Sequence, residues 1–99
     1  MVDFIAKYKE NDGDEYASIF DLISDNAIDG KSKVLAYLKS KKDVGIALRY
    51  VREQITGEST GIELACFVDG NFAWTTDTIY HFEKYNLKLS EEFLKSVLD

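Results

Sequence analysis

Between Asp14 and Ala27 the apolar residues keep a helical period, with Tyr16, Ile19, Phe20, Ile23 and Ala27 at i, i+3, i+4 and i+7 spacings. At about 100° per residue, Asp14, Ser18, Asp21 and Asp25 fall on the opposite side, so the pattern predicts an amphipathic helix with an acidic outer stripe. Asp29-Gly30 ends it as a turn. A second helix is expected from Ser32 as N-cap to about Ser40, burying Val34, Leu35 and Leu38 and carrying Lys39, Lys41 and Lys42 at its C-terminal end. Residues 43–56 fit two periods. Val44, Ala47, Leu48, Val51 and Ile55 make a helical stripe, whereas Val44, Ile46, Leu48 and Tyr50 alternate as in a strand. Gly45 and the β-branched residues tip the reading toward a strand over 49–56.

The second half of the chain gives clearer signals. Ile62 to Val68 is an apolar run suited to a central strand, Asp69-Gly70-Asn71 is a tight turn, and Phe72 to Trp74 returns as a short strand. Thr75, Thr76 and Asp77 offer N-caps for a helix through Tyr85, and Asn86 suits a left-handed end with Leu87 packing back. Ser90 caps a last helix, where Leu89 and Leu94 form a hydrophobic staple. Residues 2–10 fit a helical turn or an edge strand, and Asn11 to Asp14 fit a turn. These elements add up to one α+β domain over residues 1–99. It would comprise a small antiparallel sheet of about three strands against three to four helices.

Composition narrows the function classes. Ninety-nine residues with 45 % hydrophobic and 13 % aromatic content suit a single globular core. No apolar run is long enough to span a bilayer, and the N-terminus lacks a signal-peptide pattern, so no membrane partner is expected. A single cysteine fits a reducing, cytoplasmic setting. Charge is distributed in blocks. Residues 1–30 hold eight acids and two bases, residues 31–56 two acids and seven bases, and residues 57–99 eight acids and three bases. Acidic flanks repel nucleic acid and would steer a basic protein partner.

Catalytic chemistry is sparse. Cys66 and His81 are the only residues of their kinds, and Cys66 sits in an apolar strand where a thiol behaves as a small hydrophobe. A small Cys/His enzyme is therefore the weakest of the readings. A zinc site would need three or four ligands, and neither a Walker loop nor a dinucleotide fingerprint occurs, so no cofactor or metal is expected. Aromatic and acidic residues remain as candidate protein contacts. Asp14, Asp21 and Asp25 form one patch, and Trp74, Asp77, Tyr80 and Glu83 form a second on the rim of the hairpin and its helix.

Thr56-Gly57-Glu58, Val68-Asp69-Gly70, Trp74, Asp77, Tyr80 and Glu83-Lys84-Tyr85-Asn86-Leu87 make the chain resemble a set of small bacterial cytosolic proteins, over about residues 34–98. Some of these look like immunity proteins, which bind and neutralise the toxin domain of a contact-dependent or other polymorphic toxin system. The resemblance implies a protein-binding inhibitor with no catalytic residue to carry over, and its partner would be a basic toxin domain. A self-associating structural or regulatory module, using the same aromatics in a two-fold interface, is the alternative.

Overall fold

A computed structural model describes residues 2–99. Its elements run β1 (Asp3–Phe4), α1 (Lys9–Asp12), a 3₁₀ turn (Ile19–Asp21), α2 (Lys31–Lys39), β2 (Gly45–Arg52), β3 (Ser59–Asp69), β4 (Phe72–Thr75), α3 (Thr76–Tyr85) and α4 (Glu91–Leu98). The sheet order is β1-β4-β3-β2. β2, β3 and β4 form the expected antiparallel set, and the two-residue β1 adds a fourth strand, parallel to β4. The class is α+β, with one more strand than the sequence suggests. Two residues carry too little periodicity to announce a strand, and β1 exists because Asp3 and Ile5 donate their N–H groups to Asn71 and Ala73 carbonyls.

The β3–β4 hairpin forms where expected, turning at Gly70 with φ 61°. Its inner face sets the core. Phe67 stands opposite Trp74 across the ladder and stacks on it at 6.1 Å, and Tyr37 and Phe93 close on the indole from α2 and α4. Ile79 and Phe82 from α3, Val34 and Leu38 from α2, and Ile5, Tyr8, Leu87 and Leu89 complete this cluster. α3 is anchored at its start by Thr76, whose hydroxyl accepts from Ala65 N–H (3.0 Å) and donates to the Glu63 carbonyl (2.8 Å). Asn86 ends it in the left-handed region, with Leu87 buried behind it. Ser90 caps α4 by accepting from Phe93 N–H.

β2 begins at Gly45 rather than at residue 49, and Glu53 to Glu58 make the turn into β3. α2 begins at Lys31, one residue before the expected cap. Gly30 precedes it at φ 83°, and a Cβ there would meet a Leu98 methyl at 2.7 Å, so the position requires glycine.

The largest departure lies between Asp14 and Ala27, where the expected amphipathic helix is replaced by a loop around the single 3₁₀ turn. Competing hydrogen bonds explain it. Glu10 accepts from the Ser18 hydroxyl (2.5 Å) and from Ile19 N–H (2.8 Å), and Lys9 N–H donates to Ala17. Further on, Ser24 N–H donates to Tyr85, and Leu22 and Ser24 carbonyls accept from Lys88 N–H and the Asn86 amide. Backbone groups that a helix would pair locally are thus paired with the chain following α3. Ile19 is fully buried, while Phe20 and Ala27 from the expected apolar face are exposed. Among the described residues no helix is long and apolar enough to cross a membrane.

Candidate functional site

The fold separates the residues that the sequence grouped as two contact patches. Asp14, Asp21 and Asp25 are exposed, but they lie along the 14–27 loop and form no helical stripe. The second patch disperses further. Trp74 is fully buried among Phe67, Tyr37 and Phe93, so it is a core residue and no interface anchor. Its indole N–H finds no partner among the described residues. Asp77 is buried as well. Tyr80 is half-buried, and Glu83 is exposed in an ion pair with Lys39 at 3.1 Å that ties α3 to α2. Alternation on β4 sends Trp74 inward, because its partner Phe67 already faces the helices.

Two polar clusters hold α3 in place. In the first, the Tyr8 hydroxyl donates to Asp77 Oδ2 at 2.6 Å, and Asp77 Oδ1 lies 3.3 Å from His81 Nδ1. The other ring nitrogen, Nε2, accepts from Gln54 N–H at 3.1 Å, which places the imidazole proton on Nδ1, facing the Asp77 carbonyl at 2.8 Å. Burial, with the Asp77 carboxylate beside it, pushes the Tyr8 hydroxyl far above its ordinary pKa. His81, fully buried, therefore spends both nitrogens inside the fold. Cys66 is half-buried and pairs with Gly45 and Thr75 in the sheet.

In the second cluster, Glu53 accepts from Ile55 and Thr56 N–H groups at 2.8 and 3.0 Å and from the Tyr85 hydroxyl, with Lys84 Nζ at 3.4 Å. Burial alone would raise its pKa. The Tyr85 hydroxyl, the two N–H groups and the Lys84 ammonium outweigh that and hold it at about 2. Glu53 thus clamps the β2–β3 turn onto α3. It is a residue that the strand-or-helix ambiguity of 43–56 gave no reason to single out.

What remains open to solvent is an acidic surface. From Glu10 to Asp29 the chain carries seven acids and no base, and all seven are exposed. Glu10 is held below the usual carboxylate range by the Ser18 hydroxyl and Ile19 N–H, so it stays charged while organising the loop. Beside this loop lies a hollow of about 410 Å³. Its floor is apolar, built from Leu22, Ile23, Ile28, Leu87 and Leu94, and Asp21, Glu91 and Lys88 stand on its rim. Ser24 N–H to Tyr85 and Lys88 N–H to Leu22 fix the two walls together. The arrangement suits an apolar side chain flanked by positive charge. Only Asp21 of the expected patches lines it, with Asp25 on the adjoining surface beside Ile23 and Tyr85. Among the described residues no three His, Cys, Asp or Glu side chains converge as a metal site.

Fold and site together define a small α+β domain with helices over one face of a mixed sheet and an acid-rimmed apolar hollow at its side. No family model matches the chain, and no match was found among curated proteins or solved structures.

Proposed function

We propose that this protein acts by binding another protein, as an inhibitor of the immunity type that neutralises a basic toxin domain. The observation that carries the reading is the apolar hollow with Asp21, Glu91 and Lys88 on its rim, beside a segment from Glu10 to Asp29 that holds seven exposed acids and no base. An aliphatic or aromatic side chain of the partner would enter the hollow, and its Lys or Arg neighbours would meet Asp21, Asp25 and Asp14. Long-range attraction would speed the encounter, and the desolvated anchor would slow release. The resemblance to small bacterial immunity proteins supports the same role, because such proteins bind and neutralise a toxin domain and share no catalytic motif.

The probe is a basic toxin domain, sought first in the reading frames that neighbour the gene and titrated by calorimetry at low and moderate salt. Expected is salt-sensitive binding that falls at least tenfold in the triple variant Asp14→Lys, Asp21→Lys, Asp25→Lys. Ile28→Asp, which places a charge at the hollow, should weaken binding with less change in salt dependence. Unchanged affinity in both variants would reject this surface.

A further inference from the structure

A second surface lies away from the acidic loop. β2 is the last strand of the sheet, and among the described residues no strand lies against its outer edge. Val44, just before β2, and Ile46, Leu48 and Tyr50 along it are exposed by 66, 53, 106 and 60 %, an unusual concentration of large apolar side chains in solvent. Between Ile46 and Tyr50 the ladder to β3 shifts register, with four residue steps on β2 against two on β3. The extra length bulges outward and leaves Leu48 fully projecting. Beside it is a hollow of about 310 Å³ lined by Ala47, Leu48, Arg49, Tyr50 and Glu63.

We propose that β2 is the interface between two copies of this chain, related by a two-fold axis near Leu48. A two-fold contact needs a patch that complements itself, and this one holds both a projecting side chain and a hollow. The Leu48 of each copy would enter the hollow of the other. Charge fits the same symmetry. Asp43 precedes the apolar stretch and Arg52 follows it, so antiparallel approach brings the Asp43 of each copy to the Arg52 of the other. With Glu63 and Arg49 the patch holds two acids and two bases, and none of the four forms an ion pair among the described residues. It is therefore locally neutral in a chain of net charge −6, so these four groups add no net repulsion to a self-contact. The bulge interrupts a flat edge and disfavours open-ended strand stacking, and the two-fold closes the contact at a dimer.

The test is sedimentation of the full chain from low to high micromolar concentration. Expected is a monomer–dimer equilibrium with no larger species. Leu48→Asp should raise the dissociation constant at least tenfold while leaving the thermal melt unchanged at concentrations where both chains are monomeric, since this side chain is free of the core. Arg52→Asp should weaken the dimer, and adding Asp43→Arg to the same chain should restore it, because the two-fold sets these positions opposite each other. A wild-type monomer throughout, a Leu48→Asp variant that dimerises normally, a double swap without recovery, or assemblies beyond the dimer would each overturn the proposal. Toxin binding by Leu48→Asp separates this inference from the proposed function: retained binding with a lost dimer leaves the inhibitor reading intact.

Discussion

Replacing Glu53 by glutamine should destabilise the fold at neutral pH, and the penalty should vanish in acid. The carboxylate joins the Ile55–Thr56 backbone to Tyr80, Tyr85 and Lys84, five partners on the β2–β3 turn and α3. Its pKa falls from an ordinary 4.5 to about 2, which corresponds to about 3 kcal/mol as an upper bound. The Lys84 side chain is half exposed, so solvent screens part of that attraction, and roughly 2 kcal/mol is the working figure. For a domain stable by about 5–15 kcal/mol this is a substantial share.

The sign follows from linkage. A carboxylate with a lowered folded pKa stabilises the native state above the unfolded value, and the contribution disappears as pH falls from 4.5 through about 2. Urea unfolding of wild type and Glu53→Gln at a series of pH values reads this directly. The midpoints should differ by about 1–2 M near neutrality and converge in strong acid. A gap of equal size at both ends would show that the ionised carboxylate is not what holds the turn to α3.

Two further changes test the core. Trp74→Ala should cost about 3–5 kcal/mol in thermal or urea unfolding, and Trp74→Phe distinctly less, because phenylalanine keeps an aromatic ring against Phe67, Tyr37 and Phe93 while both variants remove an indole N–H that has no partner among the described residues. Equal losses for both would show that aromatic packing is not what the indole contributes here. Tyr8→Phe should cost about 1–3 kcal/mol by stripping a 2.6 Å hydrogen bond from buried Asp77, and a double-mutant cycle with Asp77→Asn should show coupling near 1 kcal/mol or more. Simple additivity of the two changes would refute a direct link between β1's following segment and α3.

The β3–β4 turn, the Asn86 end of α3 and the Ser90 cap of α4 were legible because each depends on dihedral preferences within a few residues. Gly70 at φ 61° and Asn86 at φ 58° occupy left-handed conformations that glycine reaches for want of a Cβ and asparagine through its short polar side chain. The 14–27 helix was misread for the opposite reason. Its period is genuine, but Glu10, Tyr85, Asn86 and Lys88 supply hydrogen bonds that no local pattern contains, and Ser24 and Asn86 are 62 residues apart. The candidate site shows the same division. That residues 10–29 are acidic is visible in the sequence, whereas the apolar hollow exists only because Leu22, Ile23 and Ile28 meet Leu87 and Leu94.

By itself, then, the amino-acid order determined the α+β class, the hairpin, the last two helices and the block distribution of charge, all consequences of spacing and short-range preference. Tertiary structure alone decided which face of each element meets solvent. It drew Trp74 and Asp77 inside, because Phe67 across the hairpin offered an aromatic stack and Tyr8, 69 residues away, a hydrogen bond. It left Val44, Ile46, Leu48 and Tyr50 outside, because burial depends on a neighbour, and β2 is the strand beyond which the described residues place none.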